Sequence, residues 1–318
     1  MRPYFVYSDK YDFRMLGAEK LHPFDNRKFS RAWSLVAEEL TGSAEFRGTP
    51  IAPVDDMFLQ VAHAERYLTS LKRSINVARV IEISLARFLP NIILQRGLIA
   101  PVKYACMGTW MATQAALKGH IAMNFGGGFH HAFSDHGEGF CFFADAALSI
   151  FHARKAGLIL ENDLVVNIDL DAHRGNGFES FFNQDKAVKN FDMYNFQVYP
   201  GMHSGEVNDC PYMIPLRMGM QGKEYLEILK AELPRFLDNA QSAKLAFYNA
   251  GTDILSGDPL GGLDVSFEDV LARDSFVIGQ LVKRQIPTVV MTSGGYTQTS
   301  YKLVGELAKT IKAQCQCV

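Results

Sequence analysis

Four short apolar runs stand out along the chain, at residues 121–125 (IAMNF), 164–170 (LVVNIDL), 245–250 (LAFYNA) and 287–292 (PTVVMT). Each is bounded by glycine or polar residues and is apolar at most positions rather than at alternate ones. That pattern predicts strands covered on both faces, the condition of a parallel sheet. Between them, apolar positions recur at helical spacing over 143–156, 222–239 and 267–284. Ser266 is placed to cap the last of these, and Pro234 is expected to kink or split the second. The first hundred residues read as largely helical, with 54–71 the most regular stretch. Strands alternating with helices predict an α/β fold on a mainly parallel sheet. No repeat, low-complexity segment or Pro/Gly/Ser linker breaks the pattern, so one domain over 1–318 is expected.

The residues after each run carry the chemistry. GGGFHHA follows the first, DLDAHRGNG ends the second, GTD follows the third and SGGY the fourth. Open parallel sheets bind ligands beyond the carboxyl ends of their strands, so four distant segments are expected to meet there. In DLDAH, Asp169, Asp171 and His173 alternate, which puts their side chains on one side of an extended chain. Asp171 and His173 can then reach one cation, and an oxygen with an imidazole nitrogen suits zinc or ferrous iron. Asp253, just past a buried strand, is the best third ligand. Three protein ligands leave one position open, the catalytic arrangement. Taken alone, D-x-D-x-H also fits a magnesium site or a helix cap.

His130 and His131 follow a triple glycine, whose freedom lets both imidazoles face the same site. The glycines are not a phosphate loop, since no Lys-Ser/Thr follows and the spacing is not G-x-G-x-x-G. The phenol of Tyr296 can donate to a developing oxyanion, although a tyrosine packed beside a glycine turn reads the same way.

Composition narrows the partners. The 318 residues are 48% hydrophobic and 21% charged, with a formal net charge of −2. Nothing in that balance favours a broad basic surface, so direct nucleic-acid binding is not expected. No apolar stretch reaches 18 residues, which excludes a membrane span of that kind, and MRPYFVYSDKYDFR lacks the apolar core of a signal peptide. Five cysteines, with Cys106, Cys141 and Cys210 scattered, predict reduced thiols in a cytoplasmic setting, or a nuclear one in a eukaryote. The tail AQCQCV is a poor prenylation signal, and Cys315 and Cys317 are expected on a frayed, exposed terminus. The oligomeric state is not legible.

Together these segments resemble the histone deacetylase family, most closely its class IV branch, the type of histone deacetylase 11 with its bacterial homologues. HPFD at 22–25, VAHAERYLTSL around His63, GGGFHHA, GFCFFAD at 139–145, DLDAHRGNG, VYPG at 198–201, YNAGTDILSGDPLGGL and SGGY occur in the family's order across nearly the whole chain. The resemblance implies the three-layer α/β/α arginase/deacetylase fold and a zinc ion held by Asp171, His173 and Asp253, with structural potassium near Asp169. It implies that His130 and His131 are a tandem catalytic pair, that Asp169 hydrogen-bonds His130, and that Tyr296 serves the transition state. Phe140 and Tyr199 fall where aromatics line an acyl-lysine tunnel, although core packing reads the same way, and Gly139 falls where a carbonyl receives the substrate amide. Asn176 stands where most of the wider family has aspartate, a feature shared with class IV, and is the implied partner of His131. Arg174 departs from the usual glutamine or histidine and is expected to point away or pair with a carboxylate.

The activity implied is hydrolysis of an acyl group, acetyl or longer, from lysine side chains of proteins or peptides. Acetylpolyamines are a rival substrate, but Leu260 in GDPLGG stands beside the tunnel where such a site needs a carboxylate; an apolar residue there suits a longer acyl chain. A non-catalytic binding protein would not need every chemical residue to be present. A ureohydrolase would need two manganese ions and further Asp/His ligands, which GGGFHHA and SGGY do not supply.

Overall fold

The computed structural model describes residues 1–17, 19, 23–40, 47–201 and 212–316. Eight strands form one sheet: β1 (Arg2–Val6), β2 (Arg47–Gly48), β3 (His120–Asn124), β4 (Val165–Asp169), β5 (Val188–Asn195), β6 (Met213–Leu216), β7 (Leu245–Asn249) and β8 (Thr288–Met291). Their order is β2-β1-β3-β8-β7-β4-β5-β6, and every pairing is parallel. The four apolar runs are the four central strands β3, β8, β7 and β4.

Side-chain alternation explains why those strands are apolar throughout. Along β7, Leu245 and Phe247 join one core cluster while Ala246 and Tyr248 join another, and all are buried. Helices Lys28–Leu40, Gly222–Asp238, Phe267–Lys283 and Ser300–Gln316 cover the Tyr248 face. Helices Ala100–Ala116, Asp145–Lys155 and Asn176–Phe182 cover the Phe247 face. This is the three-layer α/β/α architecture expected from the sequence. Ser266 caps its helix as expected, accepting from the Asp269 N–H. No helix among the described residues is long and apolar enough to cross a membrane.

Three local expectations are corrected. The regular stretch 54–71 is two short helices, Asp56–Leu59 and Glu65–Ser70. Buried His63 lies between them; its Nδ1 bonds the Phe133 carbonyl at 2.9 Å and its Nε2 accepts the Ala144 N–H at 3.0 Å. These bonds to distant backbone draw the chain out of helical register, and burial holds this imidazole neutral, with its pKa down at about 4. Pro234 does not split its helix, which runs unbroken from Gly222 to Asp238. Leu229, Leu233, Phe236 and Leu237 bury one face on both sides of the proline, and that burial outweighs the roughly 3 kcal/mol cost of the lost bond and clash. The tail is not frayed at Cys315: Leu303, Leu307, Ile311 and Cys315 form a buried stripe on the last helix. Cys106, Cys141 and Cys315 are free thiols; His22, Cys210 and Cys317 lie outside the described residues.

A buried cation fixes the ends of the central strands. The β4–β7 ladder closes with the Leu170 N–H donating to the Asn249 carbonyl at 3.1 Å. Beyond that rung, the Leu170 and Gly251 carbonyls both accept from Nη1 of fully buried Arg273, at 3.1 and 2.6 Å. Arg273 Nε donates to Asp274 at 2.9 Å, and the Tyr248 hydroxyl donates to the same carboxylate oxygen at 2.5 Å. Replacing Arg273 by alanine strands a buried carboxylate and two carbonyls. The expected loss in urea denaturation is about 3–5 kcal/mol; a loss under about 1 kcal/mol would show that the pair is dispensable.

Candidate active site

β3, β8, β7 and β4 are neighbours in the sheet, so the loops that leave their carboxyl ends are neighbours too. His173 Nδ1 lies 3.0 Å from Asp171 Oδ1 and 2.9 Å from Asp253 Oδ2. One donor atom from each of the three residues lies within 4.8 Å of the others, and all three side chains are buried. Each carboxylate keeps its other oxygen on backbone: Asp171 Oδ2 accepts the Gly294 N–H at 2.9 Å and Asp253 Oδ1 the Ala172 N–H at 2.8 Å. The remaining oxygens therefore face one another across the imidazole. Burial, then the nearby Asp171, pushes the Asp253 carboxyl up. A dication resolves that conflict, and a set of two carboxylate oxygens and one imidazole nitrogen fits zinc or ferrous iron.

The surrounding backbone is packed hard against these carboxylates. A Cβ on Gly294 would sit 2.4 Å from Asp253 Oδ2 and 2.6 Å from Asp171 Oδ2. The same loop is held from behind by fully buried Lys28, whose Nζ donates to the Ser293 and Gly294 carbonyls at 2.8 and 2.5 Å. Asp145 does the matching work for the triple glycine, accepting the Gly128 N–H at 3.0 Å and the Phe129 N–H at 2.9 Å. Lys28, Arg273 and Asp145 escape sequence reading because each acts on main chain far away, while Asp258 bonds the nearby Leu260 and Gly261 N–H groups as well as the distant Tyr296 N–H; only the anomaly of a charged residue within an apolar pattern marks any of them.

The tandem histidines are oriented differently. His130 Nδ1 donates to Asp169 Oδ2 at 2.9 Å, and its Nε2 lies 3.7 Å from Asp171 Oδ1. Burial opposes charge on this ring, but Asp169 and Asp171 outweigh it and hold the pKa up at about 9. Asn249 also donates to Asp169, at 2.9 Å. His131 Nδ1 lies 2.7 Å from Asn176 Oδ1, which also accepts the Gly177 N–H at 3.0 Å. A backbone N–H can only donate, so the amide presents oxygen and His131 Nδ1 carries the proton. Nε2 of His131 is then a free lone pair. Burial, then the neighbouring His130 and His173, holds His131 well below its ordinary pKa.

His131, Phe140 and Tyr296 border a chamber of about 50 Å³ that reaches back to Phe13, Phe24 and Phe29. Burial, followed by Asp253 and Asp171, raises the Tyr296 phenol well above its usual range, so it keeps its proton. Its ring lies 6.3 Å from that of His173, and its N–H donates to Asp258 Oδ2 at 2.8 Å. Gly139 has φ +49, and a Cβ there would meet His131 Cδ2 at 2.7 Å, so the loop needs glycine. Tyr199 packs edge-on to His131 at 5.1 Å, and its hydroxyl donates to Glu138. Leu260 does not border the chamber; it is 37% exposed on the turn tied to Asp258. Arg174 points away, donating to both oxygens of Glu179 at 2.8–3.0 Å.

Comparison with known proteins sets this geometry in context. The family model of the histone deacetylase domain matches residues 22–310. The chain is 37% identical over 311 residues to histone deacetylase 2 of Arabidopsis thaliana, covering 97% of this chain and 78% of that protein. It is 28% identical over 283 residues to an uncharacterized protein of Picosynechococcus, covering 89% of each. The crystal structure of the HDA15 HD domain superposes with a TM-score of 0.74 at 18% identity, covering 98% of this chain and 90% of that one, a likeness of fold.

If the three converging donors hold the ion, Asp253→Ala lowers metal affinity by more than about 100-fold in chelator competition, a larger loss than outer-sphere changes cause, while circular dichroism keeps the folded signature. Unchanged affinity in the folded variant would remove Asp253 from the ligand set.

Proposed function

This chain belongs to the histone deacetylase family of amide-bond hydrolases, and from that premise we propose that it is a zinc-dependent deacylase of lysine side chains in proteins or peptides. The observation that carries the reading is the meeting of three buried metal-type donors, of which Asp171 lines the chamber, with two further chamber-lining groups: a neutral histidine with its Nε2 free and a phenol that keeps its proton. Asn176 as the partner of His131 supports placement in the class IV branch. Zinc, held by Asp171, His173 and Asp253, would supply Lewis acidity toward the acyl carbonyl and acidify the attacking water.

The chain's own residues do the rest. His131 Nε2 takes a proton from the attacking water and then delivers one to the departing lysine amine. Asn176 holds its Nδ1 proton in place, which fixes the tautomer. His130, pinned by Asp169, supplies positive potential beside the developing oxyanion, to which the Tyr296 hydroxyl donates. Phe140 and Tyr199 flank the aliphatic stem of the lysine, and the Gly139 carbonyl accepts the substrate amide N–H. At about 50 Å³, the chamber has room for about three to five water-sized groups at roughly 10–15 Å³ each. That suits acetyl; a fatty acyl chain needs the Phe13, Phe24 and Phe29 rings to move. A potassium ion beside Asp169 fits one observation: Asp192, its partner in the β4–β5 register, is fully buried with an Oδ1 that lacks a hydrogen-bond partner.

Acetyl-, butyryl- and myristoyl-lysine peptides assayed with and without a chelator test the reading. Chelator-sensitive release of acetyl is expected, and full activity in the metal-free chain would overturn it. Tyr296→Phe is expected to lower kcat about 100- to 1000-fold with metal content unchanged; wild-type turnover would dismiss Tyr296 from the reaction. Asn176→Asp places a full negative charge on His131 and raises its pKa. Because the base works only when neutral, the acidic limb of the pH–rate profile should move to higher pH by about one unit or more. A limb that stays in place would show that Asn176 does not tune the base.

A further inference from the structure

Residues 72–96 differ in character from the rest of the surface. Ile75, Leu85, Phe88 and Ile92 are exposed, Leu85 at 63% and Phe88 at 71%. Around them stand Lys72, Arg73, Arg79, Arg87 and Arg96, all exposed, against the single acid Glu82. None of the five cations forms an ion pair among the described residues, whereas Arg66, Lys103, Arg174 and Arg284 elsewhere do. The segment forms one surface: Ser74 Oγ donates to the Leu89 carbonyl at 2.8 Å, and Gln95 Nε2 to the Leu71 carbonyl at 2.8 Å. Ile75 and Arg79 share a helical face, as do Ile92 and Arg96, one turn apart. Arg87 lies 4.7 Å over the Phe88 ring.

That segment is bonded to the loop that walls the chamber. The Phe140 N–H donates to the Val80 carbonyl at 2.9 Å.

We propose that this face docks the protein onto an anionic lipid surface, holding the chamber mouth toward substrates presented there. Large apolar side chains exposed on short helical turns, three of the four with an arginine beside them, match the interfacial pattern, in which rings and aliphatic tips enter the headgroup boundary while guanidinium groups meet lipid phosphates. An acidic protein partner would meet the cations equally well but would need a recess for both Leu85 and Phe88, whereas the headgroup boundary yields to each without one. The charge excess is local: the chain as a whole carries −2, so attraction to lipid comes from this face and not from net charge. No helix among the described residues is long and apolar enough to cross a membrane, and docking of this kind is peripheral and reversible.

The test is co-sedimentation of the full chain with vesicles of phosphatidylcholine alone and of phosphatidylcholine with phosphatidylserine, at low and high salt. Binding is expected only to the serine-containing vesicles, falling as salt rises. Phe88→Ser should weaken it about tenfold, and Arg79→Glu with Arg87→Glu should abolish it, both with unchanged hydrolysis of a soluble acetyl-lysine peptide. Failure to bind anionic vesicles at low salt, or equal binding by Phe88→Ser, overturns the proposal. So does a dimer in size-exclusion chromatography that Phe88→Ser converts to monomer, since the face is then covered by a second copy. Each of these outcomes leaves the deacylase reading intact, because peptide hydrolysis is measured without lipid.

Discussion

Two carboxylates are forced together, out of water, at the carboxyl ends of adjacent strands, and most of the site follows from how that is tolerated. Asp171 and Asp253 each give one oxygen to a backbone N–H and turn the other toward His173. Without a cation such a pair is costly, and one partner is driven toward its neutral form. With one, the same closeness becomes a binding site of high charge density. The fold supports the pair with main-chain donors on the outer carboxylate oxygens and with buried cations behind the loops.

That support is shared between two cations reaching in from helices on the Tyr248 face of the sheet. Lys28 holds the loop after β8, while Arg273 ties together the segments after β4 and β7. Both act where ladder bonding ends and carbonyls need other partners. The donors are charged and fully buried, which strengthens each bond and fixes its geometry. The candidate site residues thus stand on loops whose carbonyls are tied down by buried charged donors.

The central strands and the candidate site residues were legible because both are local in sequence. Apolar runs covered on two faces announce β3, β4, β7 and β8, and the glycine, histidine and aspartate residues follow each one directly. The remaining strands were not legible for identifiable reasons. β5 carries Asn190 and Asp192 inside it; Asn190 Oδ1 accepts from Asn167 and one oxygen of Asp192 accepts the Gly175 N–H, partners that no periodicity reveals. β6 holds a proline and lies at the sheet edge. The break at His63 depends on carbonyl and amide groups of residues 133 and 144, and helix persistence through Pro234 depends on leucines packing against other elements. Glu179, the carboxylate that takes Arg174, is five residues on and could be anticipated in kind but not in identity.

The spatial order β3-β8-β7-β4 has a consequence for how the molecule comes into being. Neighbours in space here are remote along the chain, with Gly128 touching Ser293 and Asp171 bonded to Gly294. Closing such loops carries a large entropic penalty before any contact rewards it. During synthesis, no nascent chain shorter than about the first 296 residues holds the whole constellation, since Tyr296 is its last member. The side chains gathered at the candidate site thus come together only once the chain has emerged past Tyr296. A cation bound by Asp171, His173 and Asp253 would then select the finished state over partly assembled ones, adding stability only to a chain that has already closed.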